Sequence, residues 1–85
     1  SGSLRSALSI FDDAEKALVR ALNLSQDNRA RFPLVLNWGL LQLKKSNKAE
    51  ASKALDSLKK MLEADATLMG EHAGRYRTLE DGVKQ

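Results

Sequence analysis

Among its 85 residues the chain has no cysteine, one histidine, one proline, one tryptophan and one tyrosine. Without cysteine there is no disulfide staple and no thiolate metal site, and a single histidine cannot build a Cys/His zinc cluster. Long apolar runs are missing as well. The longest stretch, residues 34–43, is interrupted by Asn37, Gly39 and Gln42, well short of the roughly 20 residues that span a bilayer. No membrane insertion is expected.

The signatures of catalysis are equally scarce. Gly70 and Gly74 follow no strand and lack the lysine and hydroxyl of a phosphate-binding loop. His72 stands beside Glu71 with neither a triad nor a second ligand in sequence, so an exposed surface residue is expected there. Asp12, Asp13 and Glu15 read as the solvated face of a helix rather than an acid/base pair. The chain is therefore expected not to be an enzyme, and no catalytic, cofactor-binding or metal-ligating residue is assigned.

What is present suits one small helical domain spanning residues 1–85. The hydrophobic fraction of 42% is ordinary and the charged fraction of 29% slightly high. The length lies near the lower limit at which an unstapled core outweighs chain entropy. Residues 1–3, Ser-Gly-Ser, read as a cloning remnant rather than a targeting signal, which suggests a piece of a longer protein. The net charge of +3 is unevenly spread. Residues 28–60 hold Arg29, Arg31, Lys44, Lys45, Lys48, Lys53, Lys59 and Lys60 against Glu50 and Asp56, while acids lead in both flanks.

Periodicity predicts the elements. Leu4, Leu8, Phe11, Leu18 and Leu22, widened by Ala7, Ala14 and Ala21, form one stripe of a first helix over residues 4–24. Its acids lie in the first half and Arg20 near the end, as the helix dipole favours. Residues 25–31 are polar and read as a loop. Pro33 then suits the first turn of a second helix over residues 33–45. That helix is apolar on nearly every side (Leu34, Val35, Leu36, Trp38, Leu40, Leu41, Leu43), so it must be sandwiched between others or buried in an oligomer. Asn47, with Glu50 three residues on, reads as a capping box opening a third helix over residues 48–66. Its stripe is Ala51, Ala54, Leu55, Leu58, Met61 and Leu62. Beyond it, Gly70, Gly74 and Gly82 weaken a short capping helix over residues 68–83. The expected class is all-α, with three to four antiparallel helices.

Helices two and three, joined by a short turn, resemble a tetratricopeptide repeat. Gly39 matches the small residue of that family's first helix, Ala51 the small residue of the second, and Leu55 the large apolar position after it. The first helix is similar to the second half of a preceding repeat, with Ala14, Leu18 and Ala21 in the same series. The sequence departs from the pattern at Gln42, where an aromatic is usual, and at Ser46, where glycine is common. Leu58 and Glu63 depart as well, and the spacing from Ala14 to Ala51 exceeds the family period of about 34 residues. The alternative is a generic small helical bundle. Asn37 falls where some family members grip a terminal carboxylate, but the basic helpers of that clamp are missing.

The expected function is a non-catalytic protein–protein interaction or assembly module of a larger protein. It would bind a partner helix or peptide, or a second copy of itself as a homodimer, and Trp38, Leu41, Lys45, Lys53, Lys59 and Lys60 are the candidate partner-binding residues. The alternative is a helical nucleic-acid-binding domain using the basic 29–60 segment. Such a site needs aromatic or base-reading groups among its cations, and Trp38, the aromatic nearest the lysines, sits inside the apolar helix.

Overall fold

Helix two, the apolar segment, organises the structure because three other helices cover its sides. The computed structural model describes residues 2–85, with side chains from residue 10 onward. The reading of residues 1–3 as a cloning remnant, and the Leu4, Ala7 and Leu8 part of the first stripe, fall outside the described side chains. Four α-helices are described, α1 (Gly2–Leu24), α2 (Asn28–Lys44), α3 (Lys48–Ala64) and α4 (Ala73–Lys84). Two 3-10 turns, Ala66–Leu68 and Gly70–His72, join α3 to α4. Among the described residues there is no strand. α2 pairs most extensively with α3 and also packs on α1 and α4, while α4 lies across both α2 and α3. The buried core is Phe32, Val35, Leu36, Ala51, Ala54, Leu55, Leu58, Leu68 and Leu79.

The start of α2 corrects the sequence reading. The helix begins at Asn28 rather than Pro33, and the loop is confined to residues 25–27. Asp27 is the N-cap, its carboxylate accepting from the Arg29 amide at 3.3 Å. Pro33 therefore sits inside the helix, where proline costs about 3 kcal/mol on average. Two gains offset this. Phe32 is fully buried, contributing about 1.5–3 kcal/mol, and the Asp27 cap adds about 1 kcal/mol.

Arg31 supplies a further reason for helix here. Its guanidinium Nη1 donates to the Leu22 carbonyl at 2.8 Å, which also accepts from the Ser25 amide at 3.2 Å, and to the Ser25 carbonyl at 3.0 Å, adding a charged donor where the end of α1 runs out of helical amides. The expectation that α1 complements its own dipole fails in detail. Its first turn has no acid and its last turn no base. The cation at its C-terminus comes instead from the next helix.

α2 ends in a Schellman turn. The Ser46 amide donates to the Leu43 carbonyl at 3.0 Å and the Asn47 amide to the Gln42 carbonyl at 2.8 Å, with Ser46 left-handed at φ 63°. Glycine is the usual residue at such a site because any Cβ is penalised there. Ser46→Gly is expected to stabilise the domain by about 0.5–1 kcal/mol, measured by urea denaturation.

Asn47 is the N-cap position of α3, as predicted, but the capping box does not form. Its side-chain amide donates to Gln42 Oε1 at 3.2 Å, and Glu50 accepts from Lys53 Nζ at 3.3 Å instead. α3 stops at Ala64, two residues short of expectation. The extended Asp65 (φ −154°, ψ 97°) breaks it and caps the following 3-10 turn through the Thr67 amide at 3.0 Å. Hydrogen bonds from Thr67 hold the Asp65 carboxyl below its ordinary pKa, and Arg29 approaches it at 3.8 Å.

The tail is a formed helix, Ala73–Lys84, seated on α2 and α3, with Leu79 wholly inaccessible to solvent. Gly82, read as a weak point, is a close approach, since a Cβ there would lie 2.5 Å from Leu43 Cδ1. Gly70 has φ +42° and supplies the left-handed bend between the turns. His72 is half-buried rather than exposed, its ring 5.8 Å from that of Phe32. Arg75 ties α4 to α2, donating to Asn37 Oδ1 at 2.6 Å, and its other terminal nitrogen lies 2.6 Å from His72 Nδ1. An arginine nitrogen can only donate, so Nδ1 is the acceptor.

Candidate functional site

With α3 and α4 covering one side of α2, the opposite flank belongs to α1. Trp38, Leu41, Gln42 and Lys45 follow one another along that flank at helical spacing. Its lower end is polar and closed. Gln42 is 1% exposed, and its amide nitrogen donates to Glu15 Oε1 at 2.8 Å. Lys45 Nζ bonds the same oxygen. Gln42 Oε1 accepts from Asn47, so this one side chain links α1, α2 and the turn into α3. Among the described residues no buried side-chain nitrogen or oxygen lacks a partner.

The bonds from Lys45 and Gln42 outweigh the opposing effect of burial and hold the Glu15 carboxyl below its ordinary value of 4.5. A group whose pKa is lowered by folding stabilises the fold above its unfolded pKa, and that contribution is lost as pH falls through the folded value. Below pH 4.5 the parent is therefore expected to lose more stability than Glu15→Gln, which cannot titrate. Glu15→Ala, which leaves the Gln42 amide unpartnered, is expected to cost about 1–3 kcal/mol at neutral pH. Urea titrations across the pH range check both.

The upper end of the flank is apolar and open. α1 and α3 stand apart over α2, and the furrow between them is lined by Val19, Leu22, Val35, Trp38 and Ala54, with Glu50, Lys53 and Ser57 along its α3 edge. Its volume is about 220 Å³. Val19 and Trp38 also line an adjoining hollow, with Glu15, Lys16 and Arg20 on the α1 edge. Val19 is 41% exposed and Trp38 is half-buried. Trp38 packs against the core and also lines the furrow.

Of the six residues expected to meet a partner, the structure brings Trp38 and Lys53 to this furrow. Leu41 is buried, and Lys45 is held by Glu15. Lys59 and Lys60 are both exposed on α3, but adjacent helical residues point about 100° apart, so they do not share a face. Lys60 aligns instead with Lys53, with Asp56 between them. Val19, Lys16 and Arg20 were missed because the 25–31 segment read as a long loop, which left the seating of α1 on α2 unspecified. The signal available was Val19 lying off the main α1 stripe, an apolar residue with no partner in the pattern.

Nothing in the site has the form of a metal centre. Among the described residues, no group of three or more His, Cys, Asp or Glu side chains could hold a metal ion. No helix there is long and apolar enough to cross a membrane.

Fold and site together define a small all-α helical bundle with an open apolar furrow. Comparison with known proteins narrows this no further, as no family model, curated protein or solved structure matches the chain.

Proposed function

We propose that this domain is a non-catalytic protein–protein interaction or assembly module of a larger protein, which binds a partner helix or peptide in the furrow over Trp38. The observation that carries the reading is that Val19 is exposed and Trp38 only half-buried along the furrow, although α4 has already closed the core. Exposed aromatic and aliphatic side chains gathered in a groove are what helix-in-groove recognition uses, and tryptophan is prominent among interface anchors. A tetratricopeptide-like hairpin is consistent with Ala51 being fully buried and Gly39 lying against Ala54 where α2 and α3 cross. The nucleic-acid alternative has less to draw on. Arg31 is engaged with the end of α1 and Arg29 with Asp65 and Thr67.

The test is Val19→Asp, which places a charge in the furrow at an exposed position where the fold tolerates it. Affinity capture from the native source is expected to retain a specific protein on the parent domain and lose it on the variant. Equal retention by both would remove the furrow from this reading.

A further inference from the structure

The charges around the furrow are not balanced. On the α1 edge, Lys16 and Arg20 are exposed. They are four residues apart and so stand one turn above the other on the same side of the helix. Neither has a carboxylate within ion-pairing distance among the described residues. Lys53 stands on the facing α3 edge. The two carboxylates of the rim are already engaged, Glu15 by Lys45 and Gln42 and Glu50 by Lys53. An apolar floor thus lies between a cationic α1 edge, where Lys16 and Arg20 are unpaired, and an α3 edge whose Lys53 is balanced by Glu50.

From this we infer that the furrow takes an acidic amphipathic helical segment of a partner protein. The inference rests on the interaction-module reading above and names its partner's chemistry. One large apolar side chain of the segment seats between Val19 and Trp38. Carboxylates one turn apart on its flank meet Lys16 and Arg20. The floor supplies affinity by removing apolar surface from water, while the rim charges select the partner and speed its approach. A basic segment finds the same floor but meets unpaired like charges, which disfavours it. The segment binds as a helix because cations spaced by one turn match acids spaced by one turn.

The chain carries its own reporter, since Trp38 is its single tryptophan. The probe is a library of random peptides displayed on phage and selected on the whole domain. Synthetic versions of the binders are then titrated while Trp38 emission is followed. Binders are expected to carry net negative charge and at least one large apolar residue, and to shift Trp38 emission to the blue. They are expected to weaken as salt rises and to lose about tenfold in affinity to the exposed-site double variant Lys16→Glu, Arg20→Glu. Circular dichroism of that variant should match the parent.

Neutral or basic binders that shift Trp38 and are lost on Val19→Asp would overturn the acidic assignment and leave the interaction-module reading standing. Absence of any binder that shifts Trp38 would overturn both. A Trp38 shift on raising protein concentration alone, accompanied by dimer formation in sedimentation, would assign the furrow to a second copy and overturn the partner named here.

Discussion

Gly39→Leu is expected to lower the stability of the domain by about 3 kcal/mol, the upper part of the range for overpacking, and its melting temperature by about 15 °C. The reason is a three-helix crossing. A Cβ at position 39 would lie 2.8 Å from Leu79 Cδ2 and 3.1 Å from Ala54 Cβ, so α2 meets both α3 and α4 at this one residue. Leucine there has nowhere to go without separating a helix pair. Gly39→Ala gives the mechanism its signature. In a helix interior alanine is favoured over glycine by about 1 kcal/mol, but here that gain meets the Leu79 methyl group. The substitution is expected to be neutral or unfavourable in the parent and stabilising once Leu79 is shortened to alanine. Urea denaturation of the four proteins in that cycle measures the reversal. If Gly39→Leu melts with the parent, the crossing is elsewhere.

Removal of residues after Met69 is expected to unfold the domain rather than trim it. The deleted segment contains Leu79, which is wholly buried, and Tyr76 and Val83, which pack against the core. Shortening Leu79 alone to alanine should cost about 2–5 kcal/mol. A domain of this size has only about 4–13 kcal/mol of stability in total, so losing the helix that carries it leaves little margin. Far-UV circular dichroism and urea titration of the truncated chain check this. Retention of a cooperative transition close to the parent's would mean that α1–α3 form the folding unit and that α4 is an accessory. Leu79→Ala, with its smaller effect, distinguishes a lost core contact from a general effect of truncation.

The two predictions bear on self-association as well. With helices one and three on two apolar sides of α2, the third side must meet either the tail, with its three glycines, or another molecule. The tail packs on α2, and Gly82 helps by letting Leu43 approach it. The surface left open lies on the other flank, toward α1, where Val19 and Trp38 are.

How much of this was legible in the sequence differs from element to element. The all-α class, the third helix from Lys48 and the sandwiching of α2 follow from periodicity, because a helix apolar on all sides has no stable arrangement except burial between others. The role of Gly39 as a close approach was legible for the same reason, since a glycine in a helix needs a packing cause to offset its cost. The start of α2 was not. A polar run before a proline looks the same whether or not it is helical. What decided it was Phe32 reaching the core and Arg31 reaching the end of α1, contacts between residues that only the fold brings together. Gln42 was equally opaque, because its value depends on Glu15 standing opposite, 27 positions away. The candidate site divides along the same line. Sequence alone determined that the chain holds one tryptophan on an over-apolar helix and cations around it, because composition and helical phase are local properties. Tertiary structure decided that α4 covers one side of that helix and leaves Trp38 half-buried on the other. Which face stays exposed depends on where the neighbouring helices seat, and that is settled by packing between distant residues rather than by any local propensity.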